Sequence, residues 1–143
     1  MSNTILIILF GLIFIILGYI LYIQNSKKQL FINLVSGDEL TQKMGLEFAW
    51  KELNVGIPVI IFLNSQAVKL ALANDEILLK NKLILKQLLN KGATVYVCPG
   101  CLKEYTDSLP KEKEYQIING FKVSNIDLIN KDLFLMNTKT LSW

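Results

Sequence analysis

The stretch "LLNKGATVYVCPGCLKEY", residues 88–105, sets the plan of the chain. Leu88 and Leu89 belong to an apolar helical face, and Gly92 is the kind of residue that stops such a helix. "ATVYVC" is then a strand of β-branched and aromatic residues. "CPGC" breaks that strand, and "CLKEYTDSL" returns to helical character for one or two turns. Helix, strand and helix in immediate succession are the repeating parts of a parallel α/β sheet. Both cysteines of the chain, Cys98 and Cys101, fall where the strand ends.

The flanking segments repeat the alternation. Upstream, "LFINLV" (30–35) is a compact apolar run closed by the turn residues "SGDE". "TQKMGLEFAWKEL" (41–53) is a helix with Met44, Phe48, Ala49 and Leu53 on one face, and Gly45 allows close approach to a sheet. "VGIPVIIFLNS" (55–65) is apolar without alternation, the mark of a strand buried on both faces. "AVKLALAN" (67–74) is a short helix, and "LKNKLILKQLLNKG" (79–92) a firmer one with Leu85, Leu88 and Leu89 inward. Downstream, "EYQIINGFKVSN" (114–125) holds a loop or strand pair around Gly120. "IDLINKDLF" (126–134) is a short helix, and "TKTLSW" (138–143) closes the sheet at one edge. The expected fold is an α/β three-layer sandwich with a mostly parallel sheet of about five strands.

The N-terminus is a different material. Ile5–Ile23 is an apolar run of 19 residues without a charge. As a helix it covers roughly 28 Å, close to the hydrocarbon thickness of a bilayer. "MSNT" has no basic n-region and no A-x-A site follows, so the segment is expected to be an uncleaved transmembrane anchor. Lys27 and Lys28 place the following domain on the cytoplasmic side, in a single-pass arrangement at the cell membrane. "QNSKKQ" (24–29) is the linker. The expected division is an anchor with its linker over 1–28 and one domain over 29–143.

Charge narrows the function. Lys27 and Lys28 precede the domain, which keeps 13 lysines against all 12 acidic residues and has no arginine. Without a basic stripe, nucleic acid is not an expected ligand. The absence of histidine removes Ser-His and Cys-His nucleophile pairs and the commonest metal ligand. No cofactor and no resident metal are expected.

Ligands of open α/β sheets sit outside the C-terminal ends of the strands, here "SGDE", "NSQ" and "CPGC". Four readings of the cysteine pair follow. A disulfide would close a very small loop and stabilise little, and a cytoplasmic setting disfavours it. A metal would need about four ligands, which two thiols reach only across a subunit interface. Two inert, buried thiols are a third reading. In the fourth, backbone N–H groups at the helix start favour a thiolate, and a second thiol three residues on resolves what forms on the first. Thioredoxin also carries Cys-x-x-Cys, but its pair follows an early strand and needs a later cis-proline loop, for which Pro58 and Pro110 are misplaced.

From Leu30 to Trp143 the chain resembles the DsrE/DsrF-like sulfur-relay family. "LFINLVSGDE", "GIPVIIFLNSQAVKLA", "LLNKGATVYVCPGCLKEY" and "INGFKVSNIDLINKDLFLMNTKTLSW" follow that family's order of strands, loops and helices. The resemblance implies a small oligomeric α/β protein that passes persulfide sulfur between a donor and an acceptor protein. It implies Cys98 as the sulfur-carrying residue and Cys101 as the second cysteine of many small relatives. Where relatives often carry an arginine after the cysteine loop this chain has "EYT" (104–106), which leaves Lys103 as the expected local cation. Asp38 and Asn64 are expected at the same crevice, with simple turn formation as their other role. The function expected is a membrane-tethered sulfur carrier or thiol-redox protein, with sulfurtransferase activity open. The alternative is a non-catalytic binding or assembly module with inert cysteines.

Overall fold

The computed structural model describes residues 3–25, 28–74, 78–112, 114–134 and 138–143, with the side chains of the N-terminal helix described over 7–22. Five strands, β1 (Gln29–Leu34), β2 (Val59–Leu63), β3 (Thr94–Val97), β4 (Lys122–Val123) and β5 (Thr138–Ser142), form one sheet in the order β4-β3-β2-β1-β5. Every pairing is parallel. The helices are α1 (Asn3–Asn25), α2 (Glu39–Asn54), α3 (Leu79–Asn90), α4 (Pro99–Asp107) and α5 (Ile126–Leu133), with a 3-10 helix at Ser65–Ala71.

Strand order dictates the layers. From β1 to β4 the chain steps one way across the sheet, so right-handed crossovers put α2, α3 and α4 on one face. From β4 to β5 it returns across the whole sheet, which puts α5 on the other. The first face buries Ile32, Leu34, Ile61, Leu63, Val95 and Val97 beneath Leu46, Ala49, Leu85 and Leu88. The second buries Phe31, Ile60 and Tyr96 against Ile129, with Phe62 and Leu133 at the margin. Alternate residues of one apolar run thus fill two cores, as the unbroken hydrophobicity of β1 and β2 requires.

Two details of the helices depart from the periodicity reading. In α2 the inward residues are Gln42, Gly45, Leu46 and Ala49, while Met44 is 52% exposed. Gln42 takes an inward place because its amide donates to the Ser36 carbonyl and its oxygen accepts from Asn81. Apolar residues alone misplaced that face by part of a turn. In α3, Asn81 and Lys82 are buried beside Leu85 and Leu88. The segment around Gly120 forms a single antiparallel bridge, Ile117 to Leu72, followed by the two-residue β4.

α1 is helical over 23 residues. Its described apolar side chains are exposed throughout, including Ile7 at 71% and Phe14 at 74%, and among the described residues no other element packs extensively on it. Among the described residues no helix is long and apolar enough to cross a membrane. Spanning by α1 is therefore a proposal and not an observed feature of the fold.

Candidate functional site

Three strand ends meet above the sheet. Cys98 N–H donates to Leu63 O at 2.9 Å and Asn64 N–H to Leu34 O at 2.9 Å, which sets the loops after β3, β2 and β1 side by side. Each loop starts a helix with a side-chain cap: Asp38 for α2, Asn64 for the 3-10 helix and Cys98 for α4.

Cys98 caps α4 through sulfur, its Sγ accepting from the Cys101 backbone N–H at 3.5 Å. Pro99 takes the first helical position, where its missing N–H costs nothing and its fixed φ suits the helix. Pro99 and Gly100 are therefore the first turn of α4, and the Cys98 sulfur faces the positive end of that helix. Both cysteines are free and half-buried. Cys101 Sγ donates to Asn64 Oδ1 at 3.1 Å, and the same oxygen accepts from Ser65 N–H at 2.8 Å. Cys101 is held above the ordinary thiol pKa, first by its hydrogen bond to Cys98 and then by burial. The Ser65 N–H opposes this, while negative charge on Cys98 and Glu104 adds to it. Cys101 is thus biased toward its protonated form, and its backbone N–H is directed at the Cys98 sulfur.

Beside the pair runs an open groove of about 370 Å³ lined by Ser65, Gln66, Val68, Cys101, Glu104, Tyr105 and Ser108. Ser65 has φ 48, an uncommon value for a residue with a Cβ, and it sits on the groove wall. Positions 101, 104, 105 and 108 are one stripe of α4, so helical spacing from Cys101 was the signal for Glu104, Tyr105 and Ser108. Ser65, Gln66 and Val68 carry no such signal; the short 3-10 helix brings them in.

The expected site residues separate. Cys101 contacts both Cys98 and Asn64. Asp38 is fully exposed, and its carboxylate accepts from Thr41 N–H at 2.8 Å and Thr41 Oγ1 at 2.7 Å. Those two bonds hold its pKa low, the Thr41 N–H contributing most. Lys103 is exposed on α4 and does not line the groove. It lies two residues from Cys101, about 200° around the helix. Lys69 brings a cation near the groove, its Nζ 5.6 Å from the ring centre of Tyr105. Among the described residues no group of three or more cysteine, aspartate or glutamate side chains could hold a metal ion.

Residues 27–131 match the model of the DsrE/DsrF-like family. The chain belongs to that family. Among solved structures it is similar to the crystal structure of the ychN protein from E. coli, with a TM-score of 0.58 and 16% sequence identity. That match covers 81% of this chain and 99% of the other, and at such identity it speaks for the fold alone. No curated protein matches the chain.

Proposed function

We propose that the domain is a sulfur carrier in which Cys98 holds sulfane sulfur as a persulfide. The observation that carries this reading is the place of the Cys98 sulfur as the N-cap of α4. Cys98 Sγ accepts the Cys101 N–H at the start of α4, and the pKa of Cys101 beside it is raised. The Cys98 thiolate attacks the outer sulfur of a donor persulfide R–S–SH; the new S–S bond forms as the old one breaks, and R–S⁻ leaves. An acceptor thiolate then attacks the outer sulfur of Cys98–S–SH and releases the Cys98 thiolate, with no net oxidation. If instead Cys101 attacks the inner sulfur, a Cys98–Cys101 disulfide forms and HS⁻ leaves, which is the thiol-redox branch. Lys69 supplies positive charge to an anionic sulfur donor near the groove.

The carrier is tethered by α1 to the cell membrane, with the domain in the cytoplasm and donor and acceptor proteins as its partners. The 19-residue uncharged run and the unpartnered apolar surface of α1 support the tether, and Lys27 with Lys28 supports the orientation. Assembly as a homo-oligomer is supported by exposed apolar residues at the β4 edge of the sheet, Val123 at 50% and Ile126 at 70%.

One observation favours a second reading, a binding module with inert cysteines: Cys101, and not Cys98, lines the groove. Transfer from a small persulfide to a thiol acceptor separates the two. The carrier reading expects Cys98→Ser to abolish transfer and Cys101→Ser to retain part of it. Equal transfer by the wild type and Cys98→Ser contradicts it.

A further inference from the structure

The edge opposite the cysteines has a composition of its own. α2, α3 and α5 run down from the site and end where the strands begin, with Val55, Lys91 and Phe134 as their C-terminal caps. The Gln29 amide donates to the Asp132 carbonyl, and Leu30 N–H to the Pro58 carbonyl, which fixes these ends beside the start of β1. Val55 is 74% exposed and Phe134 82%. Lys28, Lys51, Lys91, Lys131 and Lys139 are exposed at the same edge. Glu52 and Asp132 lie at the same edge, and Asp132 accepts a hydrogen bond from Tyr96. Between the starts of β1 and β5 lies a largely apolar groove of about 370 Å³ lined by Leu30, Phe48, Ile57 and Leu141, with Lys28 and Lys139 also on its wall.

Lysines at helix C-termini complement the helix dipole, which accounts for Lys51, Lys91 and Lys131. It does not account for Lys28, just before β1, or Lys139, within β5, nor for an exposed Phe134. The chain arrives at this edge from α1: residues 26–28 alone separate Asn25 from Gln29, a reach of about 14 Å at most.

We propose that this edge docks on the anionic phospholipid surface of the membrane that α1 enters, Lys28 and Lys139 meeting headgroup phosphates while Val55 and Phe134 enter the interface. The inference rests on the tether proposed above. Its consequence is orientation. β1 has six residues, so the Cys98 loop stands about 20 Å further out, facing soluble partners and not the bilayer.

The test uses the full chain reconstituted in vesicles of phosphatidylcholine alone and of phosphatidylcholine with phosphatidylglycerol. Flotation reports the tether, and hydrogen exchange of residues 55–57, 134 and 139–141 reports docking. The expected result is slower exchange in the anionic vesicles, lost in a Lys28→Gln, Lys139→Glu double variant and at high salt. Each lysine at such a surface is worth on the order of fivefold in association. Flotation with both vesicles but equal exchange in both overturns the docking alone. Failure to float with either overturns the tether and the docking with it.

Discussion

The Cys101 thiol lies 3.1 Å from the side-chain oxygen of Asn64, so a residue of the β2 loop decides what the second thiol of the β3 loop can do. That oxygen already caps the 3-10 helix through Ser65 N–H. It is a fixed acceptor, and it favours the protonated thiol.

Replacing Cys98 by alanine removes the largest influence that raises the Cys101 pKa. Thiolate absorbance during a pH titration is expected to rise at lower pH in Cys98→Ala than for Cys101 in Cys98→Ser, where a hydroxyl keeps the hydrogen bond. The linked effect on stability has a definite sign. With the folded-state pKa raised, the contribution of Cys101 is complete below the ordinary thiol value and fades as pH climbs through the raised one. Identical titrations of the two variants would contradict the pairing.

Lys69 and Lys103 separate the groove from the outer face of α4. Reaction of the domain with an anionic polysulfide is expected to slow about two- to fivefold in Lys69→Ala, a loss of roughly 0.5–1 kcal/mol typical of a partly screened charge. Lys103→Ala is expected to react like the wild type. The reverse order in a stopped-flow comparison would return the role to Lys103.

Asp38 is the N-cap of α2. Asp38→Ala is expected to lower Tm by roughly a few degrees, while Asp38→Asn keeps most of the stability because an amide oxygen also accepts from Thr41 N–H. Because its folded-state pKa is depressed, its contribution is present above the ordinary carboxylate range and lost as acid protonates it. Sulfur transfer at neutral pH is expected to be unchanged in both variants.

Gly45 allows α2 to meet the sheet. A Cβ there would stand 3.1 Å from Trp143 Cγ and 3.3 Å from a methyl of Leu34. Gly45→Val is therefore expected to cost about 1–3 kcal/mol in denaturant unfolding, since backbone and ring must separate. The C-terminal Trp143, packed 6.3 Å from Phe48 by ring centres, is expected to shift its fluorescence.

Gly45 also marks what was legible in the sequence. A glycine inside an apolar helical pattern, three unbroken apolar strands and a cysteine turn after the third gave the layer order and the edge that holds the site. Sheet order around β5 and the second core under α5 follow from crossover handedness once the strands are known. The inward Gln42, Asn81 and Lys82 were not legible, because hydrophobic periodicity passes over buried polar residues that partner one another across helices. Lys69 was missed for a similar reason. Its approach to Tyr105 depends on how the 3-10 helix packs on α4, and sequence spacing does not encode that contact.

Intact mass of the full chain after exposure to polysulfide, compared with Cys98→Ser, tests the carrier reading most directly. The account predicts a gain of about 32 Da, one sulfur, on the wild type and none on the variant. The same gain on both proteins, or none on either, would contradict it.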